Sequence, residues 1–279
     1  MLNLDQLKTL FSFVVAYSHN PRISTRSLHE NYSHYVNRES TIKLLNFAKT
    51  NEIIIGPRIW CNSGCDIEIY ENIDDPLLLL NELEKRPEVT YVTALIGYPS
   101  VICFKNGASI LKYAEPIIPS YLARKNISEI SLDIEGELPS DEYPHGWDEV
   151  DWDVYRNMRN PSLSFVKIGK KLGLPWYVVK AHFEKIIQDC KVWICLYPRG
   201  YGSYQQSYVF LKTKYELGLR EELKKLDRTT IIYKFGDTII LHLFLDELLQ
   251  NTVFYDLKRK GKIHDLHVSV PLGWNSAYW

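Results

Sequence analysis

The spacing of apolar residues predicts a helix-turn-helix in the second half of the chain. A first apolar stripe at helical spacing begins near Asp148 and ends at Asn160-Pro161, because proline cannot donate the next helical hydrogen bond. A second amphipathic helix is predicted over residues 165–172, followed by a turn at Gly173. A third helix is predicted from Pro175 to about residue 190. Two helices joined by a short glycine-containing turn form the helix-turn-helix unit, and an alternating segment around Pro198-Arg199-Gly200 predicts a β-hairpin wing after it.

The beginning of the chain follows the same plan. Apolar periodicity predicts an opening helix over residues 4–18 and a short helix over residues 25–30, which Ser24 can cap. A longer turn then leads to a third helix that ends near Thr50, with Asn37 or Ser33 as its N-cap. The β-branched residues 53–59, interrupted by Gly56-Pro57, predict a wing here as well.

After each helical half, strand-like alternation and helical stripes occur in the order βαββαβ, the ferredoxin-like arrangement. In the first copy the predicted elements are residues 65–73, 76–86, 89–96, 100–104, 108–118 and 126–135. In the second copy they are residues 204–212, 216–225, 229–235, 238–244, 245–260 and 262–271.

Two sequence anchors show that the chain contains a duplication. The segment NPRIST at residues 20–25 returns as NPSLSF at residues 160–165, and Gly97 corresponds to Gly236 at nearly the same offset. A repeat of about 140 residues is far longer than a solenoid unit, so it indicates a duplicated two-domain module. The predicted fold class is α+β, with two tandem lobes that each carry a winged helix-turn-helix and a ferredoxin-like domain. The predicted boundaries are 1–63, 64–135, an exposed acidic linker at 136–147, 148–203 and 204–279.

Composition narrows the class of protein. Apolar residues make up 46% of the chain, which supports folded cores, and the sequence contains no apolar run of the roughly 18–20 residues that a membrane span requires. The apolar N-terminal segment lacks a signal-peptide cleavage site, and the five cysteines lie mostly in apolar segments. We therefore expect a cytoplasmic protein with reduced thiols. Cys61 and Cys65 are the closest pair in sequence, but a zinc site would need two more ligands, so no metal is expected.

Charge is unevenly distributed along the chain. Net charges are +3 for residues 1–63, −6 for 64–135, −7 for 136–153, +7 for 154–203 and +2 for 204–279. The two helical segments that start the repeats are thus positive, as expected of a domain that contacts nucleic acid.

Residues 148–193 resemble the helix-turn-helix of the Lrp/AsnC (leucine-responsive/asparagine-synthase regulator) family, and residues 89–104 resemble its ligand-binding βαββαβ domain. This resemblance implies a transcription regulator that binds double-stranded DNA and pairs its βαββαβ sheets, within one chain or in a homodimer. The implied DNA contacts of the first copy are Asn37, Arg38, Ser40, Thr41, Lys43 and Arg58. Those of the second copy are Lys167, Lys170, Lys171, Trp176, Tyr177, Lys180 and Arg199. A small effector is expected near Gly97, Tyr98, Gly236 and Asp237.

Two alternatives stay open beside this main interpretation of a regulator with no catalytic residues and no cofactor. The same two-domain plan resembles the siroheme decarboxylases, in which histidine and basic residues handle the carboxylates of a tetrapyrrole. The candidates in this chain are His242, His264, His267 and Arg259. The helical domains could also serve protein contacts alone.

Overall fold

The computed structural model describes residues 2–106, 111–120, 123 and 125–276. The chain divides into two compact units, which are considered separately below. One unit contains Met1–Cys61 and Pro144–Gly202, and the other contains Asn62–Tyr143 and Ser203–Trp279. Each unit therefore combines corresponding halves of the two repeats. The predicted α+β fold class, with helix-turn-helix and ferredoxin-like domains in tandem, is confirmed.

In chain order, the helices of the described residues are α1 (Leu4–His19), α2 (Thr25–Tyr32), α3 (Arg38–Thr50), α4 (Pro76–Leu83), α5 (Glu149–Met158), α6 (Phe165–Leu172), α7 (Trp176–Ile186), α8 (Glu216–Leu223) and α9 (Thr252–Arg259). The strands are β1 (Ile54–Trp60), β2 (Cys65–Tyr70), β3 (Val89–Ile96), β4 (Val101–Asn106), β5 (Leu111–Ile117), β6 (Lys191–Leu196), β7 (Gln205–Lys212), β8 (Thr230–Phe235), β9 (Thr238–Leu245) and β10 (His264–Ser276). Short 3-10 turns lie at Ile127–Glu129, Ile187–Asp189, Tyr201–Ser203 and Leu248–Asn251.

Capping residues mark the ends of several helices in the first unit. Ser24, Asn37 and Asp148 occupy the N-cap positions of α2, α3 and α5, and each side chain accepts a hydrogen bond from a backbone N–H of the first turn. Gly173 ends α6 in the left-handed conformation, with φ of 69°. Each of the three side chains satisfies a backbone N–H that has no partner inside its helix, so the local sequence defines where α2, α3 and α5 begin.

The two copies of the repeat motif meet in this unit. Arg22, from the first motif, donates hydrogen bonds to the carbonyl oxygens of Pro161 and Leu163 in the second motif, the latter at 2.9 Å. Its guanidinium also lies 3.9 Å from the centroid of the Phe165 ring. This combination of charge-assisted hydrogen bonds and a cation–π contact fixes one helix-turn-helix against the other.

The wings differ from the prediction. Instead of forming a hairpin in each copy, β1 and β6 pair with each other as an antiparallel ribbon, with Ile59 opposite Val192. The strand that follows β6, β7, belongs to the second unit. Each copy thus supplies one wing strand, and the pairing satisfies the backbone groups of both.

The second unit contains what we call the large sheet, an antiparallel sheet of eight strands within the described residues, in the order β2-β4-β3-β10-β7-β9-β8-β5. The long strand β10 pairs with β7 through its first half and with β3 of the other copy through its second half. Strand β5 of the first copy likewise pairs with β8 of the second copy. The last strand of each copy therefore completes the sheet of the other copy.

Several predicted elements of this unit were wrong. Residues 111–117, predicted as part of a helix, form β5, because buried Leu111 and Tyr113 flank exposed Lys112 with the period of a strand. Residues 108–110 of that predicted helix lie outside the described residues. The predicted strand at 126–135 is a 3-10 turn followed by extended chain without ladder pairing. The predicted helix at 245–260 is shorter, because β9 continues to Leu245, a 3-10 turn occupies Leu248–Asn251 and α9 begins only at Thr252.

The predicted exposed linker is also partly buried. Leu138 is only 4% exposed, and its backbone N–H donates to the carboxylate of Glu216 at 2.7 Å. Leu138 belongs to the apolar core that also contains Leu219 of α8 and Phe254 of α9. Residues 126–138 therefore cover one face of the second copy, which explains why they do not continue the sheet.

Prediction on the β3–β4 turn. Gly97 has φ of 115°, and a Cβ atom there would lie 2.9 Å from the carbonyl oxygen of Val268 on β10. We expect Gly97→Ala to lower the free energy of unfolding by about 3 kcal/mol, from backbone strain and overpacking. The matched control is Gly236→Ala at the corresponding turn, where φ is 60° and the space around the Cβ is open. This control should cost about 1 kcal/mol. Equal losses in chemical denaturation would contradict the close approach of the β3–β4 turn to β10.

Candidate functional site

The large sheet curls until distant strands meet. Phe104 on β4 and Tyr233 on β8 have ring centroids 5.0 Å apart, although their strands are second and seventh in the sheet order. Strand β2 also approaches β5. The face opposite α8 and α9 is therefore enclosed by the sheet itself. We call this enclosed region the aromatic interior and define it by Tyr91, Phe104, Tyr208, Tyr233, His242 and Phe244.

A chain of hydrogen bonds passes through the aromatic interior. The hydroxyl oxygens of Tyr91 and Tyr208 are 2.8 Å apart, and the Tyr208 hydroxyl lies 3.3 Å from Nδ1 of His242. Nε2 of His242 lies 3.0 Å from Oε1 of Gln206. We call these four residues the polar chain. It joins both copies, because Tyr91 lies on β3 and the other three lie on β7 and β9.

His242 is held in its neutral form. Burial lowers its pKa to about 3, and its ring stacks on Tyr208 with centroids 4.3 Å apart. Since Gln206 Oε1 can only accept, the proton of the neutral ring belongs on Nε2, and Nδ1 then accepts from the Tyr208 hydroxyl. Burial also raises the pKa of Tyr91 to about 12, so its phenol stays protonated. The polar chain is therefore a set of neutral groups with a single consistent hydrogen-bond direction.

The polar chain reaches a surface cleft at Gln206. This cleft, which we call the Trp274 cleft, has a volume of about 580 Å³. Its walls come from the start of β7, the second half of β10 and the turn after β9, and consist of Tyr204, Gln205, Gln206, Leu248, Val270, Pro271, Leu272, Gly273 and Trp274. Trp274 is 43% exposed and its ring stacks against Tyr91 with centroids 6.3 Å apart. The cleft therefore has the exposed ring of Trp274 on one wall and the carboxamide of Gln206 beside it, and His242 orients that carboxamide from the aromatic interior.

A second cleft, of about 440 Å³, lies beside Arg228. Burial alone would lower the pKa of Arg228, but hydrogen bonds to Asp246 and Asp227 outweigh it and raise that pKa. The guanidinium also lies 4.4 Å from the centroid of the Tyr204 ring. Because its charge is matched by two carboxylates, Arg228 serves to hold the end of β9 rather than to attract an anion.

The residues predicted to contact DNA in the first copy lie in different surroundings. Arg38 and Lys43 are exposed, and Lys43 pairs with Glu39 at 2.8 Å. Asn37 caps α3, while Ser40 and Arg58 are half-buried. Thr41 is fully buried, and its hydroxyl is hydrogen-bonded to His29 and Ser33 at 2.9 and 2.8 Å. Thr41 therefore fixes the turn between α2 and α3 and cannot reach a base edge, which corrects its expected role.

In the second copy the corresponding residues form a more exposed set. Lys167, Lys170 and Lys171 are exposed on α6, and Arg199 is exposed in the turn after β6. Trp176 and Tyr177 are more than half exposed in the first turn of α7, with ring centroids 6.2 Å apart. Lys180 lies 3.5 Å from Glu184.

The four residues expected beside an effector lie at two separate turns. Gly97 packs against β10, and Tyr98 places its ring 4.4 Å from that of His267 while its hydroxyl donates to Glu71. Gly236 lies in the β8–β9 turn, where Asp237 pairs with Lys212 at 3.1 Å. Neither turn contributes to the Trp274 cleft.

The candidates named for an enzyme are not gathered into one site. His242 lies in the aromatic interior, whereas His264 and His267 are exposed on β10. Arg259 is exposed on α9 and pairs with Asp256. Sequence reasoning identified His242 but missed its partners Gln206, Tyr208 and Tyr91, and also Trp274. The available signal was that Gln206 and Tyr208 are two residues apart in a predicted strand, which places both side chains on one face.

One cluster has the composition of a metal site. Asp148, Asp151 and His182 place ligand atoms within 4.8 Å of one another. However, Asp151 already accepts hydrogen bonds from His182, Lys185 and the Asp148 backbone, so the cluster fixes the start of α5. Within the residues that the structure describes, no helix is long and apolar enough to cross a membrane.

Comparison with known proteins shows similarity at the level of fold. No family model matches the chain, and no curated protein matches it either. A crystal structure of the siroheme decarboxylase NirDL is similar over 97% of this chain and 91% of its own, with a TM-score of 0.56 and 8% identity. A crystal structure of NirDL in co-complex with an iron-uroporphyrin III analogue is similar over 95% and 91%, with a TM-score of 0.55 and 8% identity.

These matches correct the main expectation from sequence. The chain was expected to be a sequence-specific DNA-binding regulator with no catalytic residues. The two crystal structures above share its fold over nearly the whole length and are of a decarboxylase, and they contradict both parts of that expectation. The assignment to the Lrp/AsnC family is supported only as a likeness of fold.

Prediction on the neutral histidine. Unfolded histidine has a pKa of about 6.5, whereas the pKa of folded His242 is about 3. Between these values the unfolded chain binds a proton that the folded chain does not, so stability falls as pH falls below about 6.5. We expect His242 to account for a loss of about 2 kcal/mol of unfolding free energy between pH 7 and pH 5.

The measurement is denaturant unfolding at both pH values for the wild type and for His242→Gln, which removes this titration. The variant should lose about 2 kcal/mol less than the wild type over the same interval. The same pH dependence in both proteins would mean that His242 is not held neutral.

Proposed function

We propose that the protein is an enzyme that removes CO₂ from a carboxylated tetrapyrrole bound in the Trp274 cleft. The observation that carries the proposal is that Gln206 belongs both to this cleft and to the polar chain. The fold shared with a siroheme decarboxylase over both repeats supports the choice of substrate class. The fold shared with that enzyme in co-complex with an iron-uroporphyrin III analogue supports it further.

The cleft suits a flat, largely apolar ring. Its volume lies within the roughly 300–1,000 Å³ of small-molecule sites, and Trp274, Pro271 and Leu272 offer apolar area beside it. The lining residues, all within the described part of the chain, carry no formal charge. Ring stacking and apolar burial would therefore provide most of the affinity, and substrate carboxylates would lie at the solvent side.

Decarboxylation of an acetate side chain needs one proton per CO₂ released. In R–CH₂–COO⁻ + H⁺ → R–CH₃ + CO₂, the electron pair of the broken C–C bond ends in the new C–H bond. With a pKa of about 3, His242 is not protonated near neutral pH and so does not supply this proton itself. Its role would be to fix the Gln206 carboxamide against the bound ring, which makes His242, Tyr208 and Tyr91 positioning residues.

The direct test uses the full chain with iron uroporphyrin III as the probe. Saturable change in its absorption spectrum on titration would demonstrate binding, and mass spectrometry of the recovered tetrapyrrole would show stepwise loss of CO₂. Binding without CO₂ loss would refute the proposed reaction and indicate a tetrapyrrole-binding protein. No spectral change at micromolar concentrations would refute the substrate class.

Prediction on the cleft wall. We expect Trp274→Ala to weaken binding of iron uroporphyrin III about tenfold, equivalent to about 1.4 kcal/mol of lost stacking and burial. The matched control is Tyr255→Ala on α9, which removes a 55% exposed aromatic ring of the same unit that does not line the cleft. The control should bind like the wild type. Unchanged binding by Trp274→Ala would place the ligand elsewhere.

A further inference from the structure

Two cysteines distant in sequence lie opposite each other at one end of the β1–β6 ribbon. Trp60, the last residue of β1, pairs with Lys191, the first residue of β6. Cys61 and Cys190 occupy the next position on either side. Opposed residues of antiparallel strands have Cα atoms about 4.5–5.5 Å apart, which lies inside the range of about 4.4–6.8 Å found in disulfides. Continued by one residue, the ribbon register places the two cysteines at a spacing that a disulfide can span.

The surroundings hold both residues in place. Cys61 is 3% exposed, and its backbone N–H donates to the hydroxyl of Tyr155 at 3.1 Å. Cys190 is partly exposed, and its backbone N–H donates to the carbonyl of Ile187 at 3.3 Å. Both side chains pack in the apolar cluster that contains Met158 of α5. Cys61 is thus the more deeply buried residue of the pair, and both side chains lie beside the same apolar cluster.

The electrostatics distinguish the two thiols. A hydrogen bond from the Cys190 thiol lowers the pKa of Cys61, and the hydroxyl of Tyr155 and the positive charge of Arg159 add to this effect. The same hydrogen bond, together with burial, raises the pKa of Cys190. The first proton is therefore lost more readily from Cys61 than from Cys190, and a thiolate beside a protonated thiol is the combination from which a disulfide forms.

We propose that Cys61 and Cys190 form a reversible disulfide when the protein meets a hydroperoxide. The thiolate attacks the peroxide, R–S⁻ + H₂O₂ → R–SOH + OH⁻, and the neighbouring thiol then displaces water, R–SOH + HS–R′ → R–S–S–R′ + H₂O. Two thiols are oxidised and one peroxide is reduced to water and hydroxide, with the hydroxide taking up the proton lost by the first thiol. The bond would join the wing strand of the first copy covalently to that of the second copy.

Cys65 and Cys195 lie within strands, and the β1–β6 ribbon does not place either of them opposite Cys61 or Cys190. Cys65, the neighbour of Cys61 in sequence, lies in β2 opposite Asn106, and Cys195 is buried within β6. The five cysteines all lie in described residues, and all are free thiols in this structure.

The experiment treats the reduced, folded chain with equimolar hydrogen peroxide and counts free thiols before and after. The count should fall from five to three and return to five with dithiothreitol. Peptide mapping without reduction should recover Cys61 linked to Cys190. Because the bond closes a loop of well over 100 residues, the oxidised protein should melt at least about 5 °C higher than the reduced protein.

Matched variants sharpen the test. Cys65→Ser should still lose two thiols, whereas Cys61→Ser and Cys190→Ser should each form no intramolecular disulfide. If either of these two variants fails to fold, the peptide map of the wild type decides alone. A Cys61–Cys65 link, a disulfide between two chains, oxidation to sulfinic acid without a disulfide, or five unreacted thiols would each overturn the proposal.

Discussion

The second unit depends on the exchange of strands between the two copies. The second copy contributes the run β10-β7-β9-β8, and both edges of that run take a strand of the first copy, with β3 beside β10 and β5 beside β8. An unpaired strand edge leaves backbone donors and acceptors without partners, so each copy requires the other. Exchange also curls the sheet, and curling encloses its second face. The aromatic interior is therefore a consequence of strand pairing rather than of a separate core.

Enclosure in turn sets the chemistry of the polar chain. In water a histidine would titrate near neutral pH, but within the aromatic interior the charged form is penalised and His242 stays neutral. Each partner then has a defined donor or acceptor role, and Gln206 is held in one orientation at the Trp274 cleft. The proposed substrate site would need such rigidity, and strands in the middle of the large sheet provide it.

Features set by neighbouring residues could be predicted from the sequence, whereas features set by contacts between the two copies could not. The helix caps at Ser24, Asn37 and Asp148 and the βαββαβ order of the second copy follow from spacing within short windows. The prediction of a wing hairpin in each copy was wrong, because β1 of the first copy pairs with β6 of the second copy. The polar chain combines residues of three strands from both copies, and alternation along one strand shows which residues share a face but not which strand lies beside it.

Covalent duplication allows the two copies to differ where a homodimer could not. The interior face of the second copy carries Gln206, Tyr208 and His242. On the same enclosed face the first copy carries the aliphatic residues Ile67 and Ile102 beside Tyr91 and Phe104, with Ile67 directly opposite Phe104. Two identical chains would place a polar chain in both halves, and each would need its buried groups satisfied. Within the described residues, the diverged copies form this polar chain once, from three residues of the second copy and Tyr91 of the first copy. This division favours one site per chain over two equivalent ones.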